Sequence, residues 1–263
     1  MILDYLKVLA RSKSHRFAMD ANSKIKDELH SYQYNSHPIF YRPGTSDYGL
    51  IYEILVLQGK KAEYYVPSEI KPSVILDIGA NIGVTSVWLT KKFPAAKIYS
   101  FEPLPENFSI LLKNISSYPN ITALNYGLGD KDGQFEFYEN EDNANKGGGS
   151  IYKLNSDESK HGTSKNYRDP VKINIREASS ALNENNIDHI DILKIDTEGA
   201  EFDILSSIPK NILNSTKWIM GELHGIKNFE TLALIDPIFK LAVDKKIRNG
   251  GLLLFFGINR NNR

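Results

Sequence analysis

Six side chains able to exchange a proton or hold a cation fall at the ends of apolar runs. Asp77 closes Val74-Ile-Leu, Glu102 closes Lys97-Ile-Tyr-Ser-Phe101, and Asp130 follows Gly127-Leu-Gly129. Asp196 closes Ile190–Ile195, and Glu222 and His224 follow Trp218-Ile-Met. A single acid in such a place is ordinary, because Asp starts turns readily. Five acidic run-ends in one chain suggest a shared site. Ligands of open parallel sheets sit outside the carboxyl ends of the strands, which would gather these groups on one edge. Carboxylates there can accept from hydroxyls and amines or pair with a cation. The imidazole of His224, with an unperturbed pKa of about 6.5, suits proton transfer.

Asp77 opens Asp77-Ile-Gly79-Ala-Asn81-Ile-Gly83, followed by Val84 and Thr85. Two glycines four apart after a short apolar run read as strand, tight turn and helix, with backbone N–H groups open to a ligand. A pyrophosphate site prefers Gly-x-Gly-x-x-Gly, whereas Asn81 stands mid-turn here. Asp77 also suits an ammonium better than a phosphate. Glu102, about 20 residues on and followed by Pro103, is placed for ribose hydroxyls. Asp130 can accept from an exocyclic amine. An amino-acid cation, a ribose and an adenine together describe S-adenosylmethionine (SAM).

These positions require alternating strands and helices. Strands are expected at Val74–Asp77, Lys97–Glu102, Ile121–Tyr126, Gln134–Tyr138, Val171–Ile175, Ile190–Asp196, Trp218–His224 and Leu252–Phe256. Helices are expected after the first turn, from Pro105 through Lys113, over Glu177–Asn185, up to Ile208 and over Phe229–Lys246. The fold class is α/β, a doubly wound Rossmann-like sheet with helices on both faces and an N-terminal helical extension. The boundary is expected near Val66, with a helical cap over 1–66 and the ligand-binding domain over 67–263. Within the cap, apolar spacing reads as helix to about Ser36, Pro43-Gly44 as a turn, Tyr48–Leu57 as helix, and Glu63–Val66 as a short strand. The polar Asn140–Pro170 stretch is long enough to be a lid.

The segments "VILDIGANIGVTS", "FEPLPENF", "GLGDKDG", "DILKIDTEGAEFDIL" and "GELHG" together resemble the FkbM family of SAM-dependent methyltransferases. "YRPGTSD" upstream and the Ser150-containing loop are also similar to family segments. Arg176-Glu-Ala-Ser-Ser departs from the family's usual Leu-Asp pair. The resemblance implies SAM as cofactor and methyl transfer to a hydroxyl, often on a sugar or glycosylated metabolite. It places Asp77, Gly79, Asn81 and Gly83 around the methionine end, Glu102 at the ribose and Asp130 on the adenine side, with Thr85, Pro103 and Asp196 also expected to bind the cofactor. Asp196, Glu198 and His224 then lie near the methyl group or the acceptor. His224 is favoured as general base, with Asp196 or Glu198 in reserve. Glu222, Arg42 and Asp47 are weaker pocket candidates; an ion pair bracing the turn also accounts for the last two.

Composition narrows the field. There are 32 Lys+Arg against 32 Asp+Glu, a formal net charge of +0, which does not favour a nucleic-acid partner. With Cys 0, thiol nucleophiles and zinc–thiolate sites are excluded. No apolar run approaches the roughly 20 residues of a membrane helix, and no signal peptide opens the chain, so a cytoplasmic location is expected. No metal is required by the spacing. A small-molecule or saccharide acceptor is expected. A nicotinamide oxidoreductase and a non-catalytic scaffold on the same fold are the alternatives.

Overall fold

A computed structural model describes residues 2–21, 23, 28–59, 62–139, 149–150, 170–224, 227–245 and 253–261. Contacts divide the chain into two compact units, residues 1–62 with 135–173 and residues 63–134 with 174–263.

In the first unit, α1 (Ile2–Ser12) and α2 (His15–Asp20) realise the N-terminal helical periodicity, and the Ser14 side chain accepts from the Phe17 N–H to cap α2. The helix does not continue to Ser36. Instead β1 (His30–Tyr34) turns into β2 (His37–Tyr41) through Asn35 and Ser36, whose φ values of 48° and 66° suit a two-residue hairpin turn. Phe17, fully buried, packs its ring on Tyr32, Tyr41 and Tyr48. Arg42 then forks onto Asp47 at 2.8 and 2.9 Å, at the start of α3 (Ser46–Leu50), which runs on as a π-helical turn over Ile51–Val56.

The second unit carries the sheet. Its opening stretch from Glu63 to Val66 is irregular chain and not the expected strand. β3 (Val74–Ile78), α4 (Val84–Lys92), β4 (Lys97–Phe101), α5 (Pro105–Ile115) and β5 (Ile121–Leu124) follow in order. Pro105 begins α5, where a missing N–H costs nothing. β6 (Gly127–Gly129) then leaves the main sheet. β7 (Gly133–Glu139) pairs with β8 (Gly149–Ser150) through Tyr138 and Glu139, while β6 pairs in parallel with β9 (Val171–Glu177). Apart from β8 and Pro170, the Asn140–Pro170 stretch lies outside the described residues, as do Gly250, Gly251 and Leu252.

The second half continues through α6 (Ala178–Glu184), β10 (Ile192–Ile195), α7 (Glu201–Ser207), α8 (Lys210–Ser215), β11 (Trp218–Leu223), α9 (Asn228–Ile235), β12 (Phe239–Lys245) and β13 (Leu253–Asn259). The helix expected over Phe229–Lys246 stops at Ile235 because Pro237 disfavours helix for the residue before it. Phe239–Lys245 instead pairs antiparallel with β13. Among the described residues the main sheet runs β12-β13-β11-β10-β3-β4-β5, with β13 antiparallel to both neighbours. β10 and β11 are buried along their whole length, as central strands covered on both faces must be. α4 packs on α5, while α7 packs on α6 and α9.

Strand order reverses between β3 and β10, so the crevice at their carboxyl ends is where a doubly wound sheet takes a ligand. Asp191 ties the opposite ends of the same strands. Its carboxylate accepts from Ser73 N and Oγ at 2.6 and 2.7 Å and from Val74 N at 3.0 Å, and lies 2.7 Å from Lys217 Nζ. Burial pushes this acid up, but the bonds from Lys217, Ser73 and Val74 outweigh burial and carry it down to about 2. A depressed folded pKa contributes stability that is present above the unfolded value and lost as pH falls through about 2. Asp191→Asn should therefore lose about 2 kcal/mol in urea denaturation at pH 7, with the gap to wild type closing in acid. Equal urea midpoints at pH 7 would remove Asp191 from this role.

Candidate active site

The turn after β3 is shaped by contact with the end of β10. Gly79 has φ of 75°, and a Cβ placed there would stand 1.9 Å from the Asp196 carbonyl oxygen. Gly79 N and Ala80 N both donate to Phe101 O at 3.0 Å, which locks the turn to β4. Asn81 takes φ of 50° without being glycine, and its N–H donates 2.8 Å to Glu102 Oε2. Gly83, at φ of 83°, begins α4, with Thr85 buried in the first helical turn. Leu104 N supplies a second bond to Glu102, on Oε1 at 2.9 Å. Burial raises Glu102 to about 7 against the opposing pull of Leu104, Asn81, Lys194 and Asn107. Glu102 is thus a buried acceptor already fixed by backbone, beside Pro103. Asp130 is exposed, beyond β6.

Asp77 is fully buried. Its Oδ2 accepts from Ser86 Oγ at 2.6 Å, and its Oδ1 lies 3.2 Å from Lys194 Nζ. Lys194 also donates to Gly79 O at 2.7 Å and to Ile78 O at 3.3 Å. Burial works to lower the Lys194 pKa, but Asp77, Asp196 and Glu63 outweigh it and raise it. The residue before Asp196 in the motif by two positions is therefore a strut beneath the turn.

At the ends of β10 and β11, acids surround His224. Its Nδ1 lies 3.2 Å from Glu201 Oε1 and 3.9 Å from Asp196 Oδ1, and its Nε2 lies 3.3 Å from Glu222 Oε2 and 3.9 Å from Glu198 Oε2. Burial works to lower the imidazole pKa, but Glu201, Glu222, Asp196 and Glu198 outweigh it and push it up to about 11. An imidazole held protonated has no lone pair with which to take a proton at neutral pH. Glu198 is raised to about 7, chiefly by burial, with His224 pulling the other way and Asp196, Glu222 and Glu201 adding to the rise. Its backbone sits at φ of 57°, in the left-handed region, where a non-glycine residue is strained. Glu201 closes the turn by accepting from Thr197 N at 2.9 Å and Gly199 N at 3.3 Å.

The fold thus brings together Asp77, Gly79, Asp196, Glu198, Glu222 and His224, and joins Asn81 to Glu102. Arg42 and Asp47 belong to the first unit and are turned on each other, which matches a brace for the turn. Sequence reading passed over Tyr64, whose hydroxyl donates to Asp196 Oδ2 at 3.2 Å from 132 positions away. It also missed Ser86 and the hold of Glu201 on His224. Tyr64 carries no motif; the buried Ser86 and Glu201 lie inside recognised segments, where their contacts depend on strand packing. Among the described residues, Asp196, Glu222 and His224 each offer a donor atom within 4.8 Å of the others, a set of types that a divalent cation can use. In the same cluster Nδ1 of His224 faces Glu201 and Nε2 faces Glu222.

Residues 77–248 match the family profile described as Methyltransferase FkbM domain. "Methyltransferase 1" of Beauveria bassiana is 29% identical over 149 residues, 52% of this chain and 58% of that protein. "Hexuronic acid methyltransferase AglP" of Haloferax volcanii is 25% identical over 66% of this chain and 63% of its own length. "2-O-methyltransferase NoeI" of Sinorhizobium fredii is 26% identical over 64% of this chain and 73% of its own length. The match also spans 10% of one much longer curated relative.

The two turn glycines should differ in tolerance. Gly79→Ala meets backbone at 1.9 Å, whereas at Gly83 a Cβ meets Leu111 and Ile115 of α5, with nothing nearer than the Leu111 side chain at 3.3 Å. Calorimetry should show Gly79→Ala losing SAM affinity by more than about tenfold and Gly83→Ala by clearly less, both φ values being positive. Equal losses would mean that close approach to Asp196 does not shape the binding turn.

Proposed function

Because the chain belongs to the FkbM methyltransferase family, with SAM as its cofactor, we propose that it moves the methyl group of SAM to a hydroxyl oxygen of a saccharide or glycosylated small molecule. The observation that carries this reading is the group of acids around His224 at the mouth of the β3–β10 crevice. The Haloferax relative, named for hexuronic acid, and the Sinorhizobium relative, named for 2-O-methylation, support the acceptor class. Among the described residues no helix is long and apolar enough to cross a membrane.

Methyl transfer to an alcohol is an in-line displacement. The acceptor oxygen attacks the methyl carbon, the carbon–sulfur bond breaks toward sulfur, and the hydroxyl proton goes to a base. We assign that proton to Glu198. It is part-exposed, sits at a strained turn over the crevice, and is raised to about 7, where a base can work near neutrality. His224, held as imidazolium, fixes Glu222, Glu201 and Asp196 around the reaction centre and keeps Glu198 from rising further. This replaces the initial expectation that His224 is the base. Asp196 is placed beside the transferred methyl group, and Asp77 and Lys194 hold the turn around the methionine end.

A saccharide panel with labelled SAM should yield labelled O-methyl product, and transfer only to amines would overturn the hydroxyl reading. kcat/KM should climb as pH rises through about 7, because Glu198 must be ionised to accept, and fall near 11 as His224 loses its proton. Glu198→Gln should remove the ascending limb and cost about 100-fold or more in kcat. His224→Gln should instead shift that limb to higher pH, since the imidazolium pulls Glu198 down. Loss of the limb in His224→Gln with Glu198→Gln unaffected would return the base to His224. Exhaustive EDTA dialysis should leave turnover intact; loss restored by magnesium would make the acid–histidine group a metal centre.

A further inference from the structure

We propose that Tyr64 is a positioning residue of the methyl-transfer site, holding the Asp196 carboxylate in place through its phenolic hydroxyl. This rests on the reading that Asp196 lies beside the transferred methyl group. Tyr64 precedes residue 77, where the family match begins. It sits in irregular chain, where nothing in strand or helix geometry fixes a side chain, yet the segment is held from several sides. Trp218 Nε1 donates to Tyr65 O at 3.1 Å, and Lys92 Nζ donates to Val66 O at 3.0 Å. The Tyr65 ring packs on Trp218 and Phe256 with centroids 5.1 and 4.9 Å away, and Val66 and Ile70 are buried.

That anchoring brings the buried Tyr64 side chain to Asp196, where its hydroxyl donates to Oδ2 at 3.2 Å. The other Asp196 oxygen lies 3.9 Å from His224 Nδ1. The carboxylate therefore has the phenol hydrogen-bonded to one oxygen and the imidazole beyond the other. A phenol has a proton to give and a carboxylate only lone pairs, so Tyr64 is the donor in this bond. A buried hydroxyl is costly unless bonded, and a phenylalanine would fill the same space without that cost. The hydroxyl contributes orientation: it denies Asp196 the freedom to rotate away from the sulfonium.

The test compares two SAM analogues by calorimetry. Sinefungin carries an amine where SAM has its sulfonium methyl; S-adenosylhomocysteine has a neutral sulfur and nothing beyond it. In Tyr64→Phe, sinefungin affinity should fall roughly tenfold while S-adenosylhomocysteine stays within about twofold, because only the former reaches an oriented Asp196. A merely structural role would weaken both together, and that result, or no change in either, would overturn the inference. Asp196→Asn should reproduce the selective loss, and adding Tyr64→Phe to it should cost little more, whereas additive losses would show that the two do not act as a pair. Should Tyr64→Phe fail to fold, tyrosine-13Cζ spectra of wild type and Asp196→Asn decide the matter: one resonance should move, and identical spectra would overturn the bond. Wild type binding neither analogue would be a failure of the donor reading, and absence of transfer to any saccharide a failure of the acceptor reading. The spectra report on Tyr64 in both cases.

Discussion

The site depends on a buried lysine set against a buried aspartate. Parallel register places Lys194 of β10 opposite Asp77 of β3, and neither side chain reaches solvent. Two charges in such a place are expensive to desolvate, and their attraction compensates only when the remaining donors and acceptors are also satisfied. Lys194 also reaches the carbonyls of Ile78 and Gly79, and Asp77 Oδ2 takes the Ser86 hydroxyl, which leaves Oδ1 to the ammonium. One ammonium thus joins β10, which leads into Asp196, to the tight turn after β3. Losing either partner would strand the other charge, at about 3–5 kcal/mol.

Above this strut the charge pattern inverts ordinary histidine chemistry. An isolated imidazole is neutral at pH 7 and serves as a base. Among the described residues, Asp196 and Glu198 just beyond β10, Glu201 of α7 and Glu222 of β11 surround His224 and push its pKa up to about 11 against burial. The same crowding raises Glu198, which burial alone already favours in neutral form. Two groups in one cluster are thus pushed to different values, Glu198 to about 7 and His224 to about 11. The left-handed backbone at Glu198, followed by Gly199 at φ of 115°, is the strained element that presents this carboxylate. Strain of this kind typically costs about 1–3 kcal/mol and persists where surrounding structure fixes it. Glu201 provides that fixation by bonding Thr197 N and Gly199 N.

Much of this was legible in the chain. Apolar runs of five or so residues ending in acids marked the parallel strands, because such strands are buried on both faces and cannot alternate. Asp77 through Gly83 read as a tight turn, because positive φ and close backbone approach demand glycine, and Asp196 through Glu201 narrowed the family. Errors fell where local pattern is weak. β1 and β2 were obscured by a helical periodicity that ran past Asp20, although Asn35-Ser36 is a turn pair. Pro237 divided what read as one long helix, and the strand after it forms only because β13 is there to pair with it.

The sequence by itself determined most elements of the main sheet, the tight turn after β3 and the set of acids, since these rest on period, turn chemistry and residue type within short windows. Only the tertiary structure decided which acids meet. Register set Lys194 against Asp77, and strand order put Asp196 against Gly79 and placed Glu222 and His224 beside them. Loop anchoring delivered Tyr64 across 132 positions to Asp196. The physical reason is that protonation and hydrogen bonding follow distances in space and burial, and neither is encoded in the spacing of residues along the chain.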